Sequence, residues 1–255
     1  MRTRYYLIIG IIAYLAFLVT TIPAAPVIGM LDQKLPVTIN NVSGTLWNGR
    51  AGKINARQNI TLTDVEWSFL PWRLLLASAA IDVDARFNDN PLSTRLSTGI
   101  SGNLAIDDLA MNLDASDISP LIALPIGELS GQLQLNINSA RLKQSEVPRV
   151  DGSINWQKAA VTIAETADLG NISIQVQEDD QSPLTANISN TGGHLSLKGV
   201  LTTTEQGDYS LRVTMKPNAN ASDNLTSSLG MFSKKQRNGE FLMNNKGNLK
   251  QLGLM

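Results

Sequence analysis

Two patterns of apolar and polar positions follow one another along this chain. Residues 5–22 form an uncharged, mostly apolar run that is preceded by Arg2 and Arg4. At a rise of 1.5 Å per residue, about eighteen residues reach roughly 27 Å, enough to cross the hydrocarbon core of a bilayer. No second run of this kind follows. The pattern predicts one N-terminal transmembrane helix within residues 1–30, followed by a soluble domain at residues 31–255.

The charges around the apolar run predict its orientation. Arg2 and Arg4 precede the run, whereas the two charges just after it cancel. The positive-inside rule then places the N-terminus in the cytoplasm and residues 31–255 outside it. A cleaved signal peptide is the alternative, but its apolar region is shorter, and Pro26 would directly follow the candidate cleavage site. We therefore expect an uncleaved signal-anchor.

After the run, apolar and polar residues alternate almost throughout. Successive side chains of a strand point to opposite faces of a sheet, so alternation gives each strand one apolar and one polar face. This pattern is typical of an antiparallel sheet with one wet side. The predicted fold class is therefore mainly β, with a mostly antiparallel sheet. The clearest apolar positions are Ile81, Val83, Ala85 and Phe87; Leu109, Met111 and Leu113; Ile172, Ile174 and Val176; Leu184, Ala186 and Ile188; and Tyr209, Leu211, Val213 and Met215.

Few helical signals follow the apolar run. Short turns of helix are predicted at residues 74–80, which follow a proline, and at residues 120–124. A third helix is predicted near residues 222–230, where Ser222 or Asp223 is a candidate N-cap residue.

A glycine recurs at the centre of a segment that reads apolar, any residue, Gly, any residue, apolar. In period-two geometry this glycine lies on the same face as its apolar neighbours, where it permits a bulge, a bend or the close approach of another layer. A single glycine within a strand is common in β-sheets. Repeated copies in one phase indicate a long, curved meander of hairpins. The copies are centred on Gly44, Gly102, Gly131, Gly152 and Gly199, with half a copy at Gly239.

Composition excludes several classes of function. The chain has 21 Lys and Arg against 22 Asp and Glu, so its net charge of −1 argues against a general nucleic-acid binder, which needs a basic face. It contains no cysteine, which excludes a disulfide framework, a thiolate metal site and a cysteine nucleophile. No nucleic-acid partner and no cofactor are expected.

Candidate catalytic groups are few. His194 is the single histidine, and its Thr-Gly-Gly-His context predicts a hairpin turn. Clusters of adjacent acids could supply a carboxylate pair for a glycosidase acting on the cell wall, but such acids at strand ends are usually solvated. No catalytic, cofactor-binding or metal-ligating residue is predicted. The acidic clusters are Asp107 and Asp108, and Glu178, Asp179 and Asp180.

Three segments near the start of the soluble part occur in a distinctive order. Residues 43–51 read SGTLWNGRA, residues 65–69 read VEWSF and residues 71–75 read PWRLL. This order resembles the protein N family of the type II secretion system, and the resemblance covers essentially the whole chain. A polar stretch at residues 244–250 departs from the family's pattern.

The resemblance implies a non-enzymatic protein of the Gram-negative cell inner membrane with a periplasmic β domain. Such a protein would be an accessory component that supports export of folded exoproteins across the outer membrane. Its expected partners are other secretion subunits, of the inner-membrane platform or the secretin. The glycine-punctuated strands are also similar to those of AsmA-like envelope proteins, so binding or handling of lipid is the alternative function.

The tryptophans and arginines of these segments have two interpretations. Trp47, Trp67 and Trp72 form either the first hydrophobic plug of the sheet or a surface that binds a partner. Trp47 is predicted to cover the glycine face of the neighbouring strand. Arg50 and Arg73 either meet lipid head groups or an acidic partner, or are solvated or paired on the polar strand face.

Overall fold

The computed structural model describes residues 2–32, 37–56, 60–119, 128–143, 146–162, 166–179 and 182–252. The helix predicted at residues 120–124 therefore lies outside the described residues, as does Asp180. Contacts within the chain divide it into two compact units, Met1–Ser93 and Thr94–Met255.

The described part of the chain forms fourteen β-strands. They are β1 (Thr38–Gly44), β2 (Asn48–Asn55), β3 (Thr61–Phe69), β4 (Ser78–Phe87), β5 (Asn90–Gly99), β6 (Leu104–Asp114), β7 (Glu128–Leu142), β8 (Arg149–Thr162), β9 (Thr166–Asp179), β10 (Ser182–Thr191), β11 (Leu195–Thr203), β12 (Asp208–Pro217), β13 (Lys234–Lys235) and β14 (Phe241–Asn248). Their order in the sheet follows the chain from β1 to β12, after which β14 comes before β13. Paired strands run antiparallel. The expected mainly β, antiparallel class is confirmed.

Helices make up a small part of the described chain. They are α1 (Arg2–Thr20), α2 (Ala24–Asp32), α3 (Ala115–Ile118) and α4 (Asp223–Phe232), with 3₁₀ helices at Pro71–Leu76 and Leu249–Leu252. Helix α1 ends two residues before the apolar run does. Among the described residues, no helix combines the length and the apolar character that crossing a membrane requires.

Alternating side chains build a small core in the first unit. Ala51 of β2, Val65 of β3 and Ala85 of β4 are buried together. Ala51 lies opposite Val65 in the strand register. In β4, the charged neighbours Asp84 and Arg86 are exposed. The predicted alternation is therefore confirmed here, because only one face of these strands packs against apolar side chains.

Helix α4 covers an apolar face within the second unit. Its Leu229 is buried against Leu195 of β11, Val213 and Met215 of β12, and Phe241 of β14. The predicted helix is confirmed, and Ser222 is its N-cap residue, whose side-chain oxygen accepts a hydrogen bond from Leu225 N–H at 3.1 Å. The helix ends at Phe232, two residues beyond the predicted glycine.

The polar stretch that departed from the family's pattern forms most of β14. This strand pairs with β12 from Phe241, opposite Met215, to Asn248, opposite Asp208. Two residues of β13 pair with its start, so the remainder is an edge in the described part of the sheet. The exposed positions of this edge are polar, and one is Lys246. Charged and polar side chains on an edge strand oppose pairing with other chains.

The recurring glycines do not share one structural role. Gly102 and Gly239 lie in turns with free space around them, and Gly199 faces side chains inside a strand. Only the glycines at positions 44, 131 and 152 meet neighbouring backbone closely. The repeated motif therefore marks turns, a bulge and strand interiors alike, and the close approach allowed for in the sequence occurs at only some of its copies.

Gly131 occupies a bulge in β7. The register with β8 shifts between Ser130 and Gln132, and the φ angle of Gly131 is +106°. A Cβ atom at this position would lie 2.5 Å from the carbonyl oxygens of both Gln157 and Lys158. The close approach expected at this glycine is thus confirmed, and the approaching group is the backbone of the neighbouring strand.

Replacing Gly131 with valine should lower the free energy of unfolding by about 1–3 kcal/mol through overpacking. The positive φ adds to this loss, because a β-branched residue rarely adopts it. Gln132→Val is the control, since Gln132 is exposed and valine suits a strand. Thermal denaturation followed by circular dichroism measures both variants. Equal losses would contradict the assigned position of the bulge.

Candidate functional site

Residues 43–51 form the hairpin that joins β1 to β2, and we call this segment the tryptophan hairpin. The N–H of Thr45 donates to the carbonyl oxygen of Asn48 at 2.9 Å, and the N–H of Asn48 donates to Thr45 Oγ1 at 3.1 Å. These bonds close a tight turn. Trp47 therefore stands at the tip of the hairpin, directly before β2.

The tryptophan hairpin binds the chain where α1 ends. The indole Nε1 of Trp47 donates to the carbonyl oxygen of Val19 at 2.7 Å. The N–H of Leu46 donates to the carbonyl oxygen of Ile22 at 3.0 Å. Carbonyl groups at a helix C-terminus lack partners within the helix, so outside donors stabilise that end. The hairpin thereby fastens the apolar helix to the sheet of the first unit.

Helix α2 packs against the strand that leads into the same hairpin. Its first residue, Ala24, has no exposed surface. Pro23 forms an isolated β-bridge with Thr45, and α2 contacts β1. The position considered from the sequence as a signal-cleavage site therefore lies in a helix that packs on the sheet.

Two aromatic residues of β3 support the hairpin. The rings of Trp47 and Phe69 have centroids 5.0 Å apart and are tilted by 58°. The N–H of Phe69 donates to the carbonyl oxygen of Trp47 at 2.6 Å. The indole Nε1 of Trp67 donates to the carbonyl oxygen of Leu46 at 3.2 Å. Tilted aromatic pairs are favourable, so the turn is held by both ring contacts and hydrogen bonds.

Trp67 covers the glycine face, a role that the sequence had suggested for Trp47. A Cβ atom on Gly49 would clash with the ring of Trp67 and would lie 2.8 Å from the carbonyl oxygen of Thr45. Gly49 and Trp67 are opposite each other in the β2–β3 register. Trp47 is in the turn and points to α1, so it has no cross-strand glycine to cover.

An open groove of about 410 Å³ lies beside the tryptophan hairpin. Its lining is largely polar and includes Ser43, Arg50, Glu66 and Asp84. Arg50 Nη2 lies 3.4 Å from Glu66 Oε1, and both side chains are largely exposed. Arg50 is thus paired on the polar strand face, one of the two arrangements predicted. The mixed charges of the lining suit a polar peptide better than an acyl chain.

The third segment forms a displayed apolar turn, which we call the leucine turn, at Pro71–Leu76. Its side chains Trp72, Leu74, Leu75 and Leu76 are exposed. Arg73 Cζ lies 4.9 Å from the centroid of the Trp72 ring. Trp72 is therefore not part of a buried plug. Sequence reasoning missed this exposure, although a 3₁₀ helix with consecutive apolar residues directs them all round and cannot bury them on one face.

The acids considered for catalysis are held by arginines. Asp107 Oδ1 lies 2.6 Å from Arg141 Nη1, and Asp108 Oδ2 lies 3.0 Å from Arg95 Nη1. Arg141 is on β7 and Arg95 is on β5, so the two carboxylates bond to strands on opposite sides of β6. These residues act as cross-strand ion pairs of the sheet.

Glu178 of the second acidic cluster also forms an ion pair. Arg149 bonds to Glu178, and its Nη2 lies 3.0 Å from Glu205 Oε1. His194 lies in the predicted hairpin turn between β10 and β11, where its N–H donates to the carbonyl oxygen of Asp168 at 2.7 Å. Within the described ranges, no group of three or more His, Cys, Asp or Glu residues could hold a metal ion.

Comparison with known proteins decides the family. A family model described as "Type II secretion system (T2SS), protein N" matches residues 36–244. The chain belongs to the type II secretion system protein N family. The resemblance noted in the sequence is therefore confirmed, and the matched region contains the tryptophan hairpin, Trp67 and the leucine turn.

Curated relatives of this protein N family member match over most of their length. "Type II secretion system protein N" of Aeromonas hydrophila is 27% identical over 248 residues, which cover 94% of this chain and 96% of the relative. The Klebsiella pneumoniae protein of the same name is 27% identical over 233 residues, with 89% and 88% covered. The one from Pectobacterium carotovorum is 25% identical over 230 residues, with 82% and 84% covered. No solved structure matches the chain.

The contacts between the tryptophan hairpin and the end of α1 in this family member have no signature in the sequence. The acceptors of the tryptophan hairpin are the backbone carbonyl groups of Val19 and Ile22. A backbone acceptor is present at every residue, so residue type cannot reveal it. The full burial of Ala24 was equally hidden, because a small side chain in an apolar run is compatible with burial or exposure.

Proposed function

We propose that this protein is an accessory component of the type II secretion system that supports export of folded exoproteins across the outer membrane. The match to the protein N family over residues 36–244 carries the proposal. Two curated relatives that share the family name are 27% identical to it over most of both chains. Ion pairing of Asp107, Asp108 and Glu178 supports action by contact in place of catalysis.

We further propose that the N-terminal apolar run, residues 5–22, anchors the protein in the cell inner membrane, with the N-terminus in the cytoplasm and residues 31–255 in the periplasm. The large apolar side chains of α1, from Tyr5 to Val19, are about half or more exposed. Exposed apolar surface of this extent is typical of a membrane contact. Arg2 and Arg4 precede the run and support this orientation. The packing of α2 on β1 supports retention of the segment in the mature protein.

Fractionation and a reporter fusion test this placement. A reporter that is active only in the periplasm, fused after Lys250, should be active. The protein should stay with membranes after an alkaline wash, because apolar contact with lipid resists high pH whereas ionic contact does not. The orientation would be contradicted if this fusion were inactive and a cytoplasm-active reporter fused at the same position were active. Release of a shortened soluble form would show that the apolar run is a cleaved signal peptide.

The first unit offers a surface for contact with another protein. Strand β1 is the first strand in the order of the sheet and forms one edge of it. The polar groove that includes Ser43 and Arg50 adjoins this edge. We propose that a subunit of the inner-membrane platform or the secretin binds here.

Crosslinking in cells tests the contact. A photoreactive residue at exposed Ser43 should capture an identifiable secretion subunit, because Ser43 lies on both β1 and the groove. The matched control is exposed Ser196 of β11, a strand flanked on both sides by others, where no such capture is expected. Capture of phospholipid alone, with a deletion that alters outer-membrane lipid but not exoprotein release, would favour the AsmA-like lipid-handling alternative.

A further inference from the structure

The leucine turn exposes more apolar surface than its position in a sheet protein requires. The exposed fractions are 53% for Trp72, 56% for Leu74, 89% for Leu75 and 65% for Leu76. These four side chains lie within five consecutive residues, so they form one patch. Exposed apolar patches of this kind mark a contact with a partner or a membrane.

Backbone hydrogen bonds hold the leucine turn in this displayed position. The N–H of Leu70 donates to the carbonyl oxygen of Ala80 at 2.9 Å, which ties the start of the turn to β4. The N–H of Ala77 donates to the carbonyl oxygen of Leu74 at 3.0 Å and closes its end. Ala77 adopts a left-handed conformation with φ of 55°, the C-cap geometry that ends a helix sharply. The exposure is therefore part of the folded structure.

A chain of contacts places the leucine turn at the same end of the strands as the C-terminus of α1. Val19 of α1 accepts the hydrogen bond from Trp47, and the ring of Trp47 packs on Phe69. Phe69 ends β3, and the leucine turn begins two residues later, a reach of at most about 7 Å. The exposed apolar residues of α1 and of the turn thus border the same hairpin within the first unit.

The composition of the turn favours a lipid surface over a protein partner. Tryptophan is enriched at the membrane–water interface, and arginine there keeps its charge among head groups while its stem contacts apolar groups. Arg73 forms no ion pair with an acidic side chain among the described residues, and its Nε is buried without a hydrogen-bond partner. Four side chains also cover much less than the roughly 800 Å² that each partner buries in a standard protein interface.

We propose that the leucine turn is a second membrane contact: Trp72, Leu74, Leu75 and Leu76 insert at the surface of the bilayer that holds the N-terminal apolar run, and Arg73 meets anionic head groups. The inference rests on the proposed membrane anchoring by this run. It assigns the turn a role that the run cannot fill, because two contacts fix the tilt of the first unit above the membrane whereas one contact leaves it free to pivot.

Single-cysteine labelling tests the second contact, since the natural chain contains no cysteine. Full-length protein carrying Leu75→Cys is labelled with an environment-sensitive fluorophore and reconstituted in vesicles of phosphatidylethanolamine and phosphatidylglycerol. The matched control is Arg86→Cys, an exposed position eight residues along β4 from Ser78, or about 26 Å at the rise of a strand. Leu74→Cys repeats the measurement at a second residue of the turn. Lipids with brominated acyl chains quench a fluorophore only at close range.

Quenching should be several-fold stronger at positions 75 and 74 than at position 86, in protein that floats with the vesicles. Equal quenching at all three positions, or none at any, in protein that floats would overturn the second contact and leave the anchoring by the apolar run intact. Failure of the unlabelled protein to float would overturn the anchoring, and with it this inference.

Discussion

Replacing Gly49 with valine should destabilise the first unit by about 3 kcal/mol, at the upper end of the usual overpacking loss. The new side chain would clash with the ring of Trp67. Its Cβ atom alone would lie 2.8 Å from the carbonyl oxygen of Thr45. The backbone there cannot give way easily, because Thr45 closes the tryptophan hairpin through its bonds to Asn48. For a chain of this size the loss corresponds to a fall in Tm of roughly 6–12 °C.

Thermal denaturation followed by tryptophan fluorescence measures this loss, since Trp47 and Trp67 both lie at the site. Gly99→Ala is the control, because a Cβ atom at Gly99 meets nothing within 4 Å. If the Gly49→Val variant had the same Tm as the unmodified protein, Trp67 would not lie over Gly49. Adding Trp67→Leu should recover part of the loss, since the smaller side chain leaves room for valine.

Replacing Trp47 with alanine should strongly reduce exoprotein release and the capture of secretion subunits by the Ser43 photocrosslinker. The substitution removes both the hydrogen bond to Val19 and the ring contact with Phe69, so the hairpin holds the end of α1 only through the backbone bond from Leu46 to Ile22. Full truncation of a buried Trp costs about 3–5 kcal/mol, and Trp47 is half-buried, so about 2 kcal/mol of stability is expected to be lost.

Trp47→Phe separates the two contributions of this side chain. It keeps a ring against Phe69 but removes the N–H donor, so about 0.5–1.5 kcal/mol and a partial loss of secretion are expected. His194→Ala is the functional control and should leave secretion intact, because His194 is far along the chain in a hairpin turn whose bonds come from its backbone. If His194→Ala abolished secretion in a folded protein, the contact mechanism would fail and catalysis would have to be reconsidered.

Strands β4, β6, β9, β10 and β12 were predictable because their signal is local. Alternation of apolar and polar residues in β4, β9 and β12 reflects burial on one face. This alternation is visible in the residues of each strand without knowledge of its partners. The N-cap at Ser222 and the turn at His194 were predictable for the same reason, since capping and turn preferences act within a few residues. The motif order at residues 43–75 identified the family before any contact was known.

The roles of the glycines required the partner strand. Gly131 and Gly199 sit in nearly identical contexts of sequence, yet one lies at a backbone bulge and the other faces Val213. Which of these occurs depends on the register of β8 or β12 against the strand that carries the glycine, and register is a property of the pair. For the same reason, the polar stretch in β14 became interpretable only once β12 was seen beside it.

The mainly β class, the positions of strands β4, β6, β9, β10 and β12 and the membership of the protein N family follow from the order of residues in the chain, because these depend on local alternation and on short motifs. Three features required the folded structure: Trp67 covers Gly49, Trp47 reaches the end of α1, and the leucine turn remains exposed. Each of these is a contact, or the lack of one, between segments distant in the chain. The direction of a side chain at a turn follows from the backbone path of its neighbours, which residue type alone does not specify.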